Sequence, residues 1–595
     1  MTERIYKEFN VHSARQLVES VTEAANTMYY VFSTKHRDYS ESTTPTPSAS
    51  ISNSVYQSYD EMIFGKLLTS NDISIAIENN SWSNGTTYYP YDDQDATLLD
   101  KDYYAVTSEG TDYHVWKVID NNGNTASNSQ PLYSDVSSSL DSLYIKSATD
   151  GYQWRFMYTI PQSKYTKFNA NNYLPVVDHA NASGNAMNGS LDAFVVTNSG
   201  NNYNEFANGA VVSGTNSTVF VINSTDFTLN SSNNFYNNCS IYFTSGVNIQ
   251  GTYRKITDWD STSNTITVGT AISNTSNTDQ EVTPDSTCGY EITPTLTIKG
   301  DGSNASARPI INQSTNTIAN VEVLSRGEGY TYADITIEAN NMATANLAAA
   351  RAVIGPFGGH AADPKSELEA KYVIISTDFA NNEAVNIQTD NDFRTVGLLK
   401  DPFYANVELT IDSPTTNFSV SETLNHNTSG GQGVISFANS TILRLSNAYG
   451  MFNPGANVTG VTSSATANVV SIKVNAQDTR SNTHFFQQTV KFNHVMVTSN
   501  NFVEDEKVTE ATTDANGFVY ASNSSVTQLS EVRGTFDATN NYIVTGGTSS
   551  ETARFSNTIQ PDLVRGSGEV LLLKNVEAIS RSNTNTETIK LVIKF

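Results

Sequence analysis

Short apolar runs separated by polar turns recur along most of this chain, and the pattern predicts a mainly β protein. Runs at 103–106, 114–119 and 154–158 are rich in valine and aromatic residues, which favour strands. Asn122-Gly123 and Asp150-Gly151 lie between such runs, and these steps favour hairpin turns because both residues tolerate positive φ. We therefore expect antiparallel β structure from 88 to 158, with its aromatic side chains buried.

Helical spacing appears near the start of the chain. Ser13 followed by Gln16 has the spacing of a capping box, and apolar residues then recur with a helical period up to Met28. The pattern predicts an amphipathic helix here, followed by a buried strand at 29–32. A second helix is predicted over 59–68.

A long polar tract from 188 to 350 contains short strands separated by Asn, Ser, Gly and Thr. This spacing is typical of a β-sandwich or of stacked hairpins. Segments 195–203 and 321–330 each place a strand before a glycine-containing turn and a tyrosine, which suggests a repeated motif.

A clearer repeat lies farther along the chain. Five positions recur at a constant offset of 84: Phe418, Gly433, Leu445, Gly450 and Phe452 correspond to Phe502, Gly517, Leu529, Gly534 and Phe536. The similarity continues at an offset of 86 between 459–464 and 545–550, so a two-residue insertion separates the halves. We interpret 405–474 and 490–556 as a tandem pair of small β-modules.

Composition narrows the function classes. The 595 residues carry 34 Lys and Arg against 60 Asp and Glu, a formal net charge of -26, and no basic cluster stands out. This balance argues against nucleic-acid binding and against anionic membranes, because phosphate groups require clustered cations. The chain contains no run of about eighteen apolar residues, so the sequence predicts no transmembrane helix. Cys239 and Cys288 have no metal-site or disulfide spacing and are interpreted as buried.

The stretch from 355 to 403 differs from the polar tracts around it, since it combines proline- and glycine-containing turns, a helical turn and two apolar strands. We interpret it as the middle piece of a discontinuous framework. The predicted fold is mainly β: an α+β framework with few helices, whose antiparallel β core is interrupted by two inserted β-module regions. The framework pieces are 1–188, 355–404 and 557–595, and the insertions are 189–354 and 405–556.

One group of residues resembles a catalytic or cation site. His360, Asp363 and Glu367 place an imidazole and two carboxylates within eight residues, a combination suited to acid-base or metal chemistry. Their spacing matches no known metal loop. Pro364 and the helix-forming residues after it favour Asp363 as a helix N-cap instead, and we adopt that structural interpretation.

Other candidates are weaker. Asp92, Asp93 and Asp95 resemble a fragment of a calcium loop without its glycine and closing glutamate, so a solvated loop is preferred. The glycine-rich segments 327–329 and 430–433 lack the context of a phosphate loop and are interpreted as turns. Arg394 is interpreted as the partner of an intramolecular carboxylate, with a partner-binding role as the alternative. The sequence thus predicts no catalytic, metal or cofactor residue and no enzyme, and leaves partner-binding residues open.

Several blocks together resemble the baseplate wedge subunit family known as gene product eight of T-even-type contractile-tailed bacteriophages. The blocks occur in the same order: 15–18, 59–67, 150–161, 391–402, 566–575 and 589–595. The most specific are Gly151-Tyr152-Gln153-Trp154 followed by Ile-Pro, Phe393-Arg394 followed by Pro, and Ser567-Gly568-Glu569. The resemblance covers about half of the chain and excludes both inserted regions, as in the expanded proteins of cyanobacterial phages.

The resemblance implies a virion structural protein that contributes to baseplate assembly and to the rearrangement that triggers sheath contraction. It implies a homodimer whose partners are other baseplate wedge proteins and peripheral tail-fibre or short-fibre proteins, without nucleic acid or membrane insertion. The expected location is the tail baseplate of the virion, after synthesis in the host bacterial cytoplasm; the sparse cysteines and the absence of a visible secretory signal agree with this.

Two other function classes stay open. A tail protein that binds a receptor or glycan would use exposed Tyr and Trp of the β-modules. A tailspike-like hydrolase would need paired carboxylates on neighbouring strands.

Overall fold

The computed structural model describes residues 2–23, 27–35, 51–137, 145–203, 206–225, 228–338, 346–379, 390–391, 393–475, 483–576, 579–580 and 586–595. Its helices are α1 Thr2–Thr22, α2 Ile51–Glu61, α3 Tyr133–Ser137, α4 Gln162–Phe168, α5 Ala180–Gly184 and α6 Pro364–Glu367, with one 3-10 turn at Leu98–Asp100. Its strands are β1 Tyr29–Lys35, β2 Met62–Leu67, β3 Ile73–Glu78, β4 Tyr104–Glu109, β5 Asp112–Asp120, β6 Ile145–Ser147, β7 Gln153–Ile160, β8 Tyr173–Pro175, β9 Leu191–Asn198, β10 Asn208–Gly214, β11 Val219–Ser224, β12 Ser240–Phe243, β13 Tyr253–Asp260, β14 Thr265–Val268, β15 Ser273–Asn274, β16 Asn277–Glu281, β17 Gly289–Thr293, β18 Leu296–Gly300, β19 Ser303–Asn312, β20 Thr317–Glu328, β21 Ala333–Ile337, β22 Ala349–Ile354, β23 Tyr372–Phe379, β24 Asp390–Asn391, β25 Phe393–Lys400, β26 Val407–Asp412, β27 Thr423–His426, β28 Gln432–Ala438, β29 Ile442–Tyr449, β30 Asn457–Gly460, β31 Thr466–Val474, β32 Phe485–Gln487, β33 Val490–Met496, β34 Lys507–Glu510, β35 Asn516–Ser522, β36 Val526–Arg533, β37 Ile543–Gly546, β38 Thr552–Ile559, β39 Glu569–Asn575, β40 Ile579–Ser580 and β41 Glu587–Lys594. The mainly β, antiparallel fold class predicted from the sequence is confirmed.

The chain forms two compact units. Unit 1 comprises Met1–Val11 and Ala76–Ala370, and unit 2 comprises His12–Ile75 and Lys371–Phe595. Each unit is therefore assembled from segments that are distant in sequence.

Unit 1 contains an antiparallel sheet in the order β4-β5-β7-β6 and a closed barrel in the order β10-β11-β14-β13-β12-β17. Two-stranded ladders join β9 to β22, β18 to β21 and β19 to β20. The predicted antiparallel structure between 88 and 158 is confirmed, and Trp116 and Trp154 are fully buried there. Gly151, in the predicted Asp-Gly turn, has a φ of 86°, the left-handed conformation that this step favours.

Unit 2 is built around a five-stranded sheet in the order β32-β2-β1-β25-β39. Because successive side chains of a strand point to opposite faces, β1 supplies residues to two cores. Tyr30 and Phe32 pack with the barrel formed by β26–β31, whereas Tyr29 and Val31 pack with β23, α1 and β41. The sheet thus lies between two hydrophobic layers within this unit.

The tandem repeat corresponds to two closed six-stranded barrels. The first has the order β26-β29-β28-β27-β30-β31, and the second has the equivalent order β33-β36-β35-β34-β37-β38. The predicted tandem repeat is confirmed as a repeated fold. Phe452 and Phe536 are buried in equivalent cores.

The barrel of unit 1 has the same closed strand order as the tandem barrels once its first strand is counted last. If the strands are numbered from β11 as the first to β17 as the fifth, with β10 as the sixth, their order around the barrel is first-fourth-third-second-fifth-sixth. Both tandem barrels have this order when their strands are numbered along the chain. Local irregularities agree with this alignment, because a register shift falls at an equivalent place in the third strand of each barrel: Ile256/Asp258 in β13, Ile435/Phe437 in β28 and Val519/Ala521 in β35. The unit 1 barrel is therefore a circularly permuted version of the repeated module.

A distinctive backbone feature supports the same alignment. Asn238, Ser421 and Asp505 precede equivalent strands and all have positive φ, at 67°, 71° and 65°. Their amides donate to the carbonyls of Ile256, Ile435 and Val519, respectively. Three independent occurrences of a left-handed non-glycine residue at one position are best explained by a shared module geometry.

Several local predictions differ from the structure. Helix α1 begins at Thr2, so Ser13 lies in its interior and no capping box starts there. The second helix ends at Glu61, because Met62–Leu67, which are apolar apart from Lys66, form the buried strand β2 instead. The tract from 188 to 350 is neither a sandwich nor simple stacked hairpins, since β10–β14 and β17 close into a barrel whose interior buries one face of each short strand. The predicted strand at 29–32 is confirmed.

Candidate functional site: a buried ion cluster in unit 1

The sequence candidate His360 lies in a group of charged side chains that we call the buried ion cluster: Lys117, Asp192, Arg326, His360 and Glu367. Three come from strands β5, β9 and β20, one from α6, and His360 from the segment before α6. The side chains of Lys117, Asp192, His360 and Glu367 are at most 5% exposed. Such groups are rarely buried without partners, so their contacts define what the cluster can do.

The cluster forms a continuous chain of contacts. Lys117 Nζ lies 3.0 Å from Glu367 Oε2, which lies 3.3 Å from His360 Nδ1. His360 Nε2 then approaches Asp192 Oδ2 at 2.9 Å, and Arg326 Nη1 lies 3.1 Å from Asp192 Oδ1. Arg326 also donates to the Asp192 carbonyl at 2.7 Å. Cations therefore flank both carboxylates, and one imidazole joins the two pairs.

Burial and charge act in opposite directions on the pKa values of these groups. Burial raises the pKa of Asp192, but His360, Arg326 and the Ser190 hydroxyl lower it more strongly, to about 2. Burial likewise raises the pKa of Glu367, yet Lys117 and His360 bring it below its ordinary value. Burial lowers the pKa of Lys117, and Glu367 offsets part of that effect. Both carboxylates are thus held ionised near neutral pH.

An aromatic ring completes the surroundings of the cluster. Lys117 Nζ lies 4.0 Å from the centroid of Tyr91, a distance suited to a cation–π contact. The same ring meets His360 edge to face, with centroids 4.7 Å apart. The ammonium and the imidazole are therefore shielded from water on one side, which strengthens their interaction with the carboxylates.

Two cavities adjoin the cluster. A cleft of roughly 590 Å³ is lined by Gln153, Arg326 and Glu328, among others. A much smaller space of about 10 Å³ lies against Asp192, Arg326 and His360. Asp192 Oδ2 and His360 Nε2 have no well-aligned hydrogen-bond partner among the described residues, and the small space is of the size that holds one water molecule.

The buried ion cluster contains only two of the three residues of the sequence candidate His360, Asp363 and Glu367. His360 and Glu367 come together as their proximity in sequence allowed, but Asp363 does not join them. Its carboxylate accepts from the Ser366 amide at 3.3 Å and caps α6, so the N-cap interpretation is confirmed. Within the described ranges, no group of three or more His, Cys, Asp and Glu side chains is arranged to hold a metal ion.

Sequence reasoning missed Lys117, Asp192 and Arg326, which lie far from His360 in sequence. Arg326 lies within the suggested repeat motif at 321–330, and its position beside Gly327 is the only signal that the sequence contains for it. Nothing in the sequence linked it to Asp192, because that contact depends on the pairing of β9 with elements over a hundred residues away. The cluster is assembled by tertiary structure.

The acidic loop at 92–95 is fastened to neighbouring elements. Asp92 forms an ion pair with Arg351 on β22, and Asp93 accepts from the Ile354 amide at 3.4 Å. Asp95 lies 2.6 Å from Lys101 Nζ. The preferred interpretation as a solvated loop is therefore only partly right: these carboxylates bind cations and amides of the chain itself.

The glycine-rich segments and Arg394 complete the set of candidates. Gly327 and Gly329 have φ of 60° and 78° at the end of β20, and Gly430 has φ of 70° between β27 and β28. The interpretation of these segments as turns is wrong in detail, because 327–328 belong to β20 and 432–433 begin β28, and the turn before β28 lies at 427–429. The side chain of Arg394 lies outside the described residues, so its predicted carboxylate partner stays a prediction.

Helices long and apolar enough to cross a membrane are not found in the described part of the chain. A scan against protein-family models finds no match, and a search of curated proteins finds no similar sequence.

Proposed function

We propose that this chain is a structural component of a phage contractile-tail baseplate, a wedge subunit that contributes to baseplate assembly and to the rearrangement that triggers sheath contraction. Its partners would be other wedge proteins and peripheral tail-fibre or short-fibre proteins, and the chain would act as a homodimer in the virion. The proposal starts from the ordered sequence blocks that resemble the gene product eight family.

One structural observation supports the proposal most directly. Three of those blocks, at 59–67, 391–402 and 566–575, contribute β2, β25 and β39 to a single five-stranded sheet of unit 2. Strands β1 and β25 pair in an antiparallel register that runs from Tyr29 opposite Lys400 to Thr34 opposite Thr395. Blocks that are scattered in sequence thus meet in one element, as expected if they preserve a common scaffold.

The buried ion cluster is also better suited to architecture than to catalysis. Lys117 and Arg326 neutralise the two carboxylates, and the imidazole lies between the carboxylates. Each of these contacts connects different elements of unit 1. A protein that transmits mechanical rearrangements benefits from such fixed contacts, because removing one partner leaves a buried charge.

The alternative, a glycan-binding tail protein, would need open aromatic faces on the barrels. Phe437 of the first tandem barrel is 41% exposed, but the guanidinium of Arg444 lies 5.2 Å from its ring centroid. Arg444 is itself held by Glu408 at 2.8 Å. This arrangement covers the ring rather than presenting it for stacking, and it favours the structural proposal.

Localisation in particles tests the proposal. Antibodies raised against the purified chain should label the baseplate of tails from the phage that encodes it, and cryo-EM density of that baseplate should accommodate both units. Labelling of the capsid or of the central tube, or absence of the chain from purified particles, would disprove the proposal. Glycan binding by the isolated chain that is lost when residues 490–559 are removed would favour the alternative.

A further inference from the structure

One buried position of the barrels carries different chemistry in different copies. The amides of Ile222, Ile411 and His494 each donate to a carbonyl of the turn between the third and fourth strands, at 3.0, 2.8 and 2.9 Å. Each residue also lies in the first strand, beside the place where the sixth strand contains one extra residue. These two features align His494 of the second tandem barrel with an isoleucine in each of the other two barrels.

The imidazole of His494 is buried in an apolar core. The residue is 5% exposed, and its ring lies beside Phe502 and Phe555, with centroid distances of 6.4 and 6.1 Å. Both ring nitrogens are buried, and neither has an aligned hydrogen-bond partner among the described residues. A neutral imidazole has one donor and one acceptor nitrogen, so its burial here costs free energy that burial of isoleucine does not.

Burial also lowers the pKa of His494 below its ordinary value. The carbonyls of Val526 and Asn523 lie near enough to the ring to offset part of this effect on the pKa, although neither is aligned for a hydrogen bond. The folded barrel therefore favours the neutral form of the ring more strongly than the unfolded chain does.

Charged groups near the ring do not compensate for its protonation. The charged residues of the surrounding elements are Lys491 on β33, Arg554 on β38, Glu531 and Arg533 on β36, and Glu504, Asp505, Glu506 and Glu551 on the adjoining loops. Lys491 and Arg554 occupy outward-facing positions of their strands. Glu506 binds the amides of Thr548 and Ser549. No carboxylate of the described residues forms an ion pair with the ring, so an imidazolium there would be an unpaired buried charge.

The loop that carries Phe502 also attaches the barrel to the central sheet. Asp505 Oδ1 lies 2.8 Å from Nζ of Lys35, whose side chain is 2% exposed at the end of β1. Hydration of a charged His494 ring requires its aromatic neighbours to move, because burial excludes water from the ring. Movement of Phe502 would be passed along the loop to the Asp505 ion pair.

We propose that His494 makes the second tandem barrel an acid-responsive module, in which proton uptake by the buried ring loosens the barrel and releases Lys35 from Asp505. Because the unfolded chain binds this proton more readily than the folded barrel, the stability of the barrel is complete above a pH of about 6.5 and falls as the pH drops below that value. Ile222 and Ile411 show that the module does not need histidine here for packing. The inference goes beyond the proposed function, and the purified chain is sufficient to test it.

Hydrogen exchange of the full-length chain provides the first test, at about pH 7.5 and about pH 5.5, on either side of the ordinary histidine pKa. Protection factors of 490–559, which correct for the intrinsic pH dependence of exchange, should fall about threefold or more in wild type, because the folded ring resists the proton. His494→Ile, which copies Ile411, should abolish this decrease and raise protection about tenfold at the higher pH, because the unpartnered ring is removed. A wild-type barrel without the decrease, or an equal decrease in His494→Ile, would overturn the proposal.

The first tandem barrel is the internal control. Its own buried histidine, His426, is untouched by the substitution, so the pH dependence of protection at 406–475 should be the same in wild type and in His494→Ile. His494→Gln keeps a polar side chain that cannot take up a proton in this range, and it should also abolish the decrease at 490–559. A decrease that persists in His494→Gln would assign the response to another group and refute the role of His494.

Two further measurements test the ring and the attachment separately. In wild type with isotope-labelled histidine, the NMR signal that His494→Gln lacks should titrate at a lower pH than the signal of the exposed His12, and an equal or higher midpoint would overturn the proposal. Labelling of Lys35 by an amine-reactive reagent, normalised to the exposed Lys299, should increase at the lower pH in wild type but not in His494→Ile. Constant labelling of Lys35 in a barrel that loosens would disprove its release from Asp505.

Discussion

Glu422 and Glu506 occupy equivalent positions in the two tandem barrels, 84 positions apart, and each binds the turn between the fifth and sixth strands of its barrel. Glu506 accepts hydrogen bonds from the amides of Val503, Thr548 and Ser549 at 2.7, 3.0 and 2.9 Å. Glu422 accepts from the corresponding amides of the first barrel at 2.6 to 2.9 Å. One carboxylate thus replaces water as the partner of several turn amides.

The permuted barrel of unit 1 explains why this glutamate is absent there. The aligned position is Cys239, directly after the left-handed Asn238. In the tandem barrels the capped turn joins the fifth strand to the sixth, whereas in unit 1 the chain leaves the barrel after β17 and enters it at β10. No turn joins those two strands, so the carboxylate has no amides to bind, and a small apolar residue can be buried instead.

Removal of the Glu506 carboxylate should weaken the second tandem barrel. We expect Glu506→Ala to lower its free energy of unfolding by about 2 kcal/mol, because hydrogen bonds to a charged acceptor are lost and amides lose their partner. Hydrogen exchange of residues 490–559 measures the effect locally. Glu504→Ala, an exposed neighbour, is the matched control and should change little. Equal exchange in both variants would contradict the capping role.

Acid should loosen the tandem barrels through the same carboxylates. Burial raises the pKa of Glu506, but hydrogen bonds from Ser549, Val503 and Thr548 lower it below the ordinary value. The stabilisation is therefore complete above the unfolded pKa of about 4.3 and is lost as the pH falls through the lower folded value. Protection factors of 490–559, which correct for the intrinsic pH dependence of amide exchange, should fall in that acidic window, and Glu506→Gln should flatten the dependence. A wild-type barrel insensitive to this window would be inconsistent with the linkage.

Breaking the buried ion cluster should destabilise unit 1. Lys117→Met leaves the buried Glu367 without its closest cation, and the expected loss is about 3–5 kcal/mol in the free energy of unfolding. Denaturant unfolding followed by Trp fluorescence measures it, since Trp116 and Trp154 lie in the same unit. The double variant Lys117→Met with Glu367→Leu should recover much of the loss, because it removes both charges.

A nearby surface pair provides the control for that experiment. Lys365, two positions before Glu367, lies 3.0 Å from Asp178, whose side chain is 76% exposed. Lys365→Met should therefore cost at most about 0.5 kcal/mol. A loss for Lys117→Met as small as that for Lys365→Met would show that the cluster is solvated in solution.

Neighbouring residues in the sequence were sufficient to predict the features that depend on short-range contacts. The Asp363 cap, the turn at Asp150-Gly151 and the tandem repeat were predicted because each is encoded by neighbouring residues or by a regular offset. The second helix was mispredicted because 62–67 is apolar apart from Lys66, and such a run is also typical of a strand buried on both faces of a sheet, as β2 is. Barrel closure, the permutation and the contacts of Asp192 depend on pairings between distant strands, which no local pattern contains.

The second tandem barrel should be removable as a unit. Its core cluster consists of its own residues, from Val490 to Phe555, and among its large buried side chains Tyr520 instead packs with Tyr29 and Val31 of the central sheet. Its ends are held together outside the barrel, since the Asp562 amide donates to the Gln487 carbonyl at 2.9 Å. Replacement of 489–560 by two glycines should therefore preserve a soluble chain with a cooperative thermal transition. The buried Lys35 loses its partner Asp505 in this variant but gains contact with water.

Removal of the first tandem barrel is the informative contrast. That barrel covers Tyr30 and Phe32 of the central sheet, and both are fully buried. Excision of 406–475 should expose a large apolar face and cause aggregation, visible by light scattering. Equal solubility of the two excisions would contradict the shared core of the sheet and the first barrel.

The permutation itself can be tested by rebuilding it in the second tandem barrel. In unit 1, the loop Asn216-Ser217-Thr218 joins the strands that correspond to β38 and β33. An isolated chain running 552–559, Asn-Ser-Thr, then 491–546 should therefore fold, and cooperative melting with a β-type circular dichroism spectrum would show it. Because this order removes the capped turn, Glu506→Cys should be tolerated in the permuted chain and should destabilise the barrel in its natural order. Failure of the permuted chain to fold while the isolated 489–560 segment folds would contradict the equivalence of the barrels.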